Sequence, residues 1–467
     1  MRNIKVSEYL HFQDVDSEKG ICAAWNRFYP SIFLLNPFAL ELLDAVKNKK
    51  EIKPDEESRD FFNELARYKF IYDSEKDRSK EDFLRMIDQQ LAAIKDRGES
   101  FYDSKEAYEG LGIYTDACNL RCGYCVDRYK RKFAPVSMDF PGKLRIIKHC
   151  LDRYMLRKRA NSPVPVKIFF SGGEILLEWN TLKEVVSYLV DEYKGVPFEF
   201  EMNTNLTLMS REIAGFLSRH DFKVDISIDG YREAHNRSRV YHNGSGSFDD
   251  VLKGLGILRE FNLVNRFQGT IDYVDRFDPV QVYRLENYDF VEARLAPNLL
   301  AVTEEDAVRK AELMGKFLVL NQQHRLQVTE LFFSNAKEKI NQDSFRFSFF
   351  CRGLSCLPKI VLSLNISTLR LSQLCPYVPD ASLSLEELDY DIYNKKLREA
   401  SYLFIKQRAA ALKKYCLDCR LVGLCSGGCI YTGLDKENQV NKAACAFQKK
   451  MWSIYIDKIY RDRSAAR

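Results

Sequence analysis

The placement of cysteine constrains this chain more than any other feature. Three of its thirteen cysteines lie between 118 and 125, eight lie between 351 and 445, and only Cys22 and Cys150 stand apart. A reducing compartment disfavours structural disulfides, so clustering of this kind points to bound metal. The N-terminus agrees with such a compartment. Met1 to Gly20 is polar and mixed in charge, without the basic, apolar and small-residue order of a secretory signal. The apolar stretch 32–43 is short and interrupted by Asn36, Pro37 and Glu41, so nothing reaches bilayer length. The expectation is a cytoplasmic protein with no membrane partner. A net charge of +5 over nearly balanced acids and bases is too weak a bias to point to nucleic acid. Hydrophobic residues make up 46% and aromatic residues 13%, ample for real cores, and 467 residues imply two or three domains.

Three segments follow from the pattern. In residues 1–100, Glu8–Val15, Ile21–Phe28 and Ser31–Leu35 read as short strands. Pro37–Val46 and Asp60–Lys69 read as helices, and a charged helix from Ser79 to Arg97 reads as a linker. Residues 108–340 alternate strand and helix. Strands are expected at Leu111–Thr115, Val164–Phe170, Phe198–Met202, Lys223–Ile228, Arg266–Tyr273 and Phe290–Arg294. One intervening helix is expected to start at Thr181, with Glu184 completing a capping box. Another starts near Thr303 and turns Ala307, Ala311, Met314 and Leu318 inward. Six such units imply an α/β fold with a parallel sheet, open or curved into a partial barrel, whose ligands sit at the C-terminal strand ends. Residues 345–467 hold the second cysteine group and end in a helix from Phe447 to about Tyr460. Cys150 is in register with Leu144, Ile147, Leu151 and Tyr154 and reads as core packing. Cys22 has no assigned role.

The run Cys118-Asn-Leu-Arg-Cys122-Gly-Tyr-Cys125 follows the first strand of the middle segment directly. Three thiolates at C-x3-C-x2-C spacing can hold three irons of a cubane cluster, which leaves the fourth iron without a protein ligand. Such an open metal position can bind and polarise a small molecule. A structural zinc site is the alternative, but it wants four ligands, and no fourth lies nearby. The motif, with the aromatic Tyr124 before its last cysteine, resembles that of the radical S-adenosylmethionine (AdoMet, SAM) superfamily. The resemblance implies a partial (β/α)6 TIM barrel, a [4Fe–4S] cluster and bound AdoMet. Phe170-Ser-Gly-Gly-Glu174 then resembles the superfamily's site for the methionyl amino group, with Gly172 and Gly173 admitting the ligand and Glu174 receiving the ammonium. Met202-Asn-Thr-Asn-Leu206 offers Asn205 as a further contact, although relatives often carry Gly where Leu206 stands. Ile226-Ser-Ile-Asp-Gly230, followed by His235 and Arg239, resembles the superfamily's Ser-Leu-Asp-Gly…His…Arg segment, and the resemblance implies Ser227 as a contact to ribose or carboxylate and Arg239 as a partner of the carboxylate. A plain salt bridge is the other reading of Arg239.

The C-terminal run Cys416-x2-Cys419-x5-Cys425-x3-Cys429, with Cys351, Cys356 and Cys375 upstream and Cys445 downstream, provides eight thiolates, the number two cubane clusters need. It resembles the SPASM domain, which carries two auxiliary [4Fe–4S] clusters. The resemblance implies Cys351, Cys356, Cys375 and Cys429 around one cluster and Cys416, Cys419, Cys425 and Cys445 around the other. Arg370 stands where that family usually has Gly, so a reshaped hairpin is expected there. Gly427 and Gly428 permit a sharp turn before Cys429.

The first segment resembles the winged-helix RiPP recognition element, which binds the leader of a ribosomally made peptide as an added strand. That resemblance implies a receiving edge near Ser31–Leu35, backed by the helix from Asp60. Together these features imply a peptide maturase that abstracts hydrogen from a precursor peptide to install a thioether or carbon–carbon cross-link. An external electron donor of flavodoxin or ferredoxin type would serve it. Sulfatase-maturase-like protein oxidation is the alternative, disfavoured by Pro376, because many of those enzymes carry Asp directly after the cysteine corresponding to Cys375. Radical RNA modification and a non-enzymatic iron–sulfur or zinc protein remain open as well. No acid–base residue stands out.

Overall fold

The computed structural model describes residues 4–29, 31–50, 56–103, 110–125, 135, 137–158, 165–272, 293–299, 302–324, 328–330, 361–373, 383–384, 395–396, 399, 402–403, 406–407, 409–425 and 440–465. In the first segment a short strand β1 (Lys5–Val6) precedes β2 (Leu10–Asp16), β3 (Ile21–Asn26) and β4 (Phe33–Leu35). The last three form an antiparallel sheet in the order β2-β3-β4. Helix α1 (Pro37–Lys47) starts where the Asn36 side chain accepts from Ala39 N at 2.9 Å, and α2 (Glu56–Arg67) follows. A strand β5 (Ile71–Tyr72) then returns to pair with β1, a pairing too short for the sequence pattern to reveal.

Helix α3 (Ser79–Asp103) departs from expectation. It is not a linker leading away. Phe83 and Ile87, one turn apart, are buried in one cluster with Phe28 and with Ala409, Leu412 and Val422 of the C-terminal segment. Leu84, Met86 and Leu91 of the same helix, partly buried, pack against that cluster as well.

The central sheet contains β6 (Gly110–Thr115), β7 (Val166–Gly172), β8 (Phe198–Thr204), β9 (Lys223–Ser227), β10 (Val264–Ile271) and β11 (Ala293–Pro297), all parallel and in sequence order. A short seventh strand, β12 (Val328–Glu330), extends one edge. β11 begins three residues later than expected; 290–292 lie outside the described residues. Between the strands lie α4 (Phe140–Lys158), α5 (Trp179–Glu192), α6 (Arg211–Arg219), α7 (Arg232–Ser238) and α8 (Phe248–Glu260). Cys150 is fully buried beside Ile147, Leu151 and Tyr154, and Cys22 is buried on β3. The expected capping box at Thr181 is not formed. A tight turn over Ile175–Glu178 runs straight into α5, which therefore begins at Trp179, and Thr181 Oγ1 instead donates to Glu178 Oε2 at 3.1 Å. The helix Glu304–His324 begins as expected, with Thr303 Oγ1 accepting from Asp306 N at 3.1 Å, and buries Ala307, Ala311 and Met314.

The opposite edge of the sheet holds a second departure. Strand β13 (Val361–Asn365) of the C-terminal segment pairs parallel with β6 and continues into β14 (Arg370–Gln373) and β15 (Leu383–Ser384). The sheet thus crosses the expected boundary near 340. The turn before Arg370 is intact: Leu369 takes the left-handed conformation (φ 48°), and the Asn365 side chain accepts from Ser367 N and Thr368 N. Arg370 itself pairs with Asn365 within the hairpin. The C-terminal helix, Lys442–Ala465, is longer than expected and buries Phe447, Met451, Trp452 and Ile456 in the main core. Among the described residues no helix is long and apolar enough to cross a membrane.

Candidate active site

The loop carrying Cys118, Cys122 and Cys125 leaves the C-terminal end of β6 and is gripped from two sides. On one side, Gly173 N donates to Thr115 O and Glu174 N to Ala117 O, both at 2.7 Å. The two backbones are pressed together so closely that side chains do not fit. A Cβ on Gly172 (φ 112°) would lie 2.3 Å from Thr115 O, and one on Gly173 would lie 2.2 Å from Ala117 O and 3.0 Å from Cys118 Cβ. On the other side, Arg121 N donates to Val240 O at 2.7 Å and Gly123 N to Ser238 O at 3.1 Å, and the His242 ring lies 3.1 Å from Cys118 O. Asn365 Nδ2 donates to Asp116 Oδ1 at 2.9 Å, which ties β13 to the base of the loop.

Burial pushes the Cys118 thiol up to about 11 and the Cys122 thiol up to about 12. Each also senses the charge of Cys125, and Arg239 opposes the rise at both. Free thiols here keep their protons, so a metal group bound to them displaces those protons. Among the described residues no three His, Cys, Asp or Glu side chains stand close enough to hold one ion.

Glu174 follows the glycine pair and is fully buried. Its carboxylate accepts from Leu176 N at 3.0 Å, Thr204 Oγ1 at 2.8 Å and Asn205 N at 2.7 Å. Burial raises its pKa, and the three neutral donors only partly oppose that rise. No lysine or arginine among the described residues pairs with it. A carboxylate offers about four lone-pair sites, so this one retains capacity for a cation. That is the chemistry an ammonium group needs, and the donor set fits the amino group of AdoMet. Asn205, which orients Glu174 through its backbone, is locked by Asn119 and Thr207. Leu206 takes the left-handed conformation (φ 66°) that glycine would adopt freely, so the turn survives the substitution. It does so with Leu206 fully buried and its carbonyl close against Gly254.

At the end of β9, Ser227 Oγ donates to Asn203 Oδ1 at 3.1 Å. The alternative reading of Arg239, a surface salt bridge, is met only in part, because the salt bridge it makes is buried. Its Nε lies 3.0 Å from Asp229 Oδ2, and its guanidinium lies 5.5 Å from the centre of the Tyr124 ring. The Tyr124 hydroxyl donates to the same Asp229 oxygen, while Thr270 N donates to the other at 2.8 Å. His235 holds this cluster from behind: Nδ1 accepts from Asp229 N at 3.3 Å, and Nε2 meets Ser247 Oγ at 3.0 Å. Burial, aided by Arg239, lowers the His235 pKa to about 3 and keeps the ring neutral. Asp229 and His235 were visible in the sequence only as members of a motif. Their role as the frame for Tyr124 and Arg239 depends on contacts the motif does not display.

In the C-terminal segment, Cys416 ends a wide helical turn over Leu412–Cys416, Cys425 ends the short helix Val422–Cys425, and Cys445 lies in the first turn of Lys442–Ala465. Cys419 N donates to Cys416 O at 3.0 Å and Cys425 N to Leu421 O at 2.7 Å. Burial raises the Cys445 thiol; Lys449 opposes that rise and the charge of Cys419 adds to it. Cys351, Cys356, Cys375 and Cys429 lie outside the described residues, as do Gly427 and Gly428.

Residues 113–275 match the family model of the radical SAM superfamily. An uncharacterised protein of Methanocaldococcus jannaschii is 38% identical over 149 residues, 32% of this chain and 48% of that protein, so the match spans about half of its length. The radical SAM cyclopropyl synthase TigE of Paramaledivibacter caminithermalis is 22% identical over 364 residues, 74% of this chain and 73% of the relative. A serine-type anaerobic sulfatase-maturating enzyme of Bacteroides thetaiotaomicron is 27% identical over 192 residues, 38% of this chain and 44% of that enzyme. Among solved structures, native anSMEcpe with bound AdoMet shares the fold at a TM-score of 0.57 and 18% identity, over 76% of this chain and all of that one.

Proposed function

The chain carries a radical SAM domain, the mark of an enzyme superfamily, and from that premise we propose that it is a peptide maturase acting on a ribosomally made precursor. The observation that carries the reading is the junction of the thiol loop with Gly172, Gly173 and Glu174: a loop of three thiols is pressed against a buried carboxylate that no lysine or arginine among the described residues pairs with. Cys118, Cys122 and Cys125 would hold three irons of a [4Fe–4S] cluster and leave one for AdoMet. When bound, that pair supplies the one-electron chemistry that removes a hydrogen atom from a peptide carbon. Glu174 would take the amino group of AdoMet, with Asn205 fixing the carboxylate. Arg239, already aligned by Asp229, would offer its remaining N–H groups to the AdoMet carboxylate, with Ser227 beside it. Tyr124 would wall the site. The burial of Glu174, Asp229 and Arg239 excludes water that would quench a radical.

The C-terminal thiols would hold two auxiliary [4Fe–4S] clusters, on Cys416, Cys419, Cys425 and Cys445 and on Cys351, Cys356, Cys375 and Cys429, one of which accepts the electron left on the peptide. The leader would add as a strand to the edge of β4, and a flavodoxin or ferredoxin would reduce the first cluster. The bond formed would be a thioether or a carbon–carbon cross-link. TigE, a radical SAM cyclopropyl synthase that aligns with 74% of this chain, supports a bond-forming radical SAM enzyme by its extent, and anSMEcpe, solved with bound AdoMet and a peptide, supports a peptide substrate. The matches to sulfatase-maturating enzymes favour protein side-chain oxidation as a second reading. Pro376 after Cys375 weighs against it.

The test is an anaerobic reaction of the reconstituted protein with a candidate precursor peptide, AdoMet and reductant, read by mass spectrometry. Loss of two hydrogens from the peptide supports the maturase reading. An unchanged peptide alongside oxidation of a sulfatase-type peptide favours the second.

A further inference from the structure

The N-terminal module does not sit apart from the C-terminal thiols. The end of β3 runs directly against the loop that carries them. Trp25, fully buried, donates its indole N–H to Arg420 O at 2.7 Å, next to Cys419. Gly423 N, two residues before Cys425, donates to Arg27 O at 2.7 Å. The approach is so close that a Cβ on Gly423 would lie 2.6 Å from Phe28 C and Tyr29 N, both backbone atoms. The Arg27 side chain reaches Leu417 O at 3.5 Å and Asp418 at 3.9 Å, on the turn that follows Cys416. Cys445 is reached through its own helix, where Gln13 of β2 donates to Ser453 O at 3.0 Å and to Asp457 Oδ1 at 2.7 Å.

We propose that β2 and β3 are a structural wall of the Cys416, Cys419, Cys425 and Cys445 site, with Trp25 and the Arg27 carbonyl as positioning groups for its thiols. The inference rests on the reading that these four cysteines hold an iron–sulfur cluster. The peptide carbonyl of Arg420 and the N–H of Gly423 are each satisfied by the module rather than by their own loop. Removing either partner frees the backbone between two ligands.

The test uses the full chain with C118A, C122A, C125A, C351A and C356A, so that only this set of four can retain a cluster. Iron and sulfide per chain, the EPR spectrum of the reduced protein and the rate of iron release to a chelator are read for this background. They are then read for the same background with Trp25→Phe, with Gly423→Ala and with Phe70→Leu. The last variant damages the module's own core, where Phe70 packs with Leu35, Leu65 and Ile71, without touching the loop. Trp25→Phe keeps a ring but leaves the Arg420 carbonyl unpaired, so release is expected to speed up about tenfold, with a changed EPR line shape. Gly423→Ala should do at least as much, and Phe70→Leu should lower the melting temperature without altering release or spectrum. Release from the Trp25→Phe variant at the background rate, or equal acceleration in Phe70→Leu, overturns the inference and leaves the cluster reading standing. A background chain that binds no iron overturns the cluster reading itself.

Discussion

The loop 118–125 hangs from the end of one strand and is gripped by backbone groups of its own barrel: the Thr115–Ala117 stretch against Gly173 and Glu174, and Ser238 to His242 against Cys118 to Gly123. Cys416, Cys419 and Cys425 lie on short helical turns braced by Trp25 and Arg27 from the opposite end of the chain, and Cys445 lies in the first turn of the C-terminal helix. The first site is local and is rigid because strand ends converge on it. The second is assembled by tertiary packing over a large sequence separation. A site that binds a cofactor with defined geometry benefits from the first arrangement. A site linked to the docking of another module is built by the second.

Changes inside the barrel should therefore spare the C-terminal thiols. The largest effect is expected from Asp229→Asn, which leaves Arg239 buried without its anion. A loss of about 3–5 kcal/mol in urea-unfolding stability follows, together with loss of AdoMet binding and no change in iron held by the C-terminal cysteines. A parallel loss of that iron would break the distinction between the two regions. Gly173→Ala comes next. Its Cβ cannot fit against the Ala117 carbonyl, so the loop must shift, at about 2–3 kcal/mol, and the first site should lose its iron while the second retains it. Glu174→Gln removes the charge without the shape. AdoMet affinity measured by calorimetry should fall roughly tenfold to a hundredfold, and the cofactor-free protein should lose little stability, because the wild-type carboxylate is already disfavoured by burial.

A smaller effect, when read only between pH 6.5 and 5, is a pH dependence. His235 titrates near 3 in the folded chain and near 6.5 when unfolded, so the unfolded state binds the extra proton between those values. Its contribution is fully present above pH 6.5 and is lost as pH falls toward 3, at up to about 1.4 kcal/mol per pH unit. His235→Asn should flatten that slope between pH 6.5 and 5. An unchanged slope would show that the ring is not the neutral brace of Asp229.

Much of the barrel was legible because its strands are short apolar runs separated by amphipathic helices, and because the chemistry sits at strand ends that local motifs mark. Glu174 could be placed from the glycines before it. The Arg239–Asp229 pair could not, because a motif lists residues without saying which of them face each other. The docking of β13 on β6 and of the module on the 416–425 loop leaves no local signature; both are backbone contacts between segments hundreds of residues apart. The α3 helix is an intermediate case. Phe83 and Ile87 formed an apolar pair on its surface, and that pair was the clue to a docked helix instead of a linker. At Thr181 the local pattern was present but overridden, since the preceding turn had already started the helix.

The most direct measurement compares wild type with the C118A/C122A/C125A variant, both reconstituted with iron and sulfide without oxygen, then given AdoMet and dithionite. Formation of 5′-deoxyadenosine by the wild type and its absence in the variant is the predicted result. Equal cleavage by both, or none by an iron-loaded wild type, would contradict the assignment of the 118–125 loop as the place where AdoMet is cleaved.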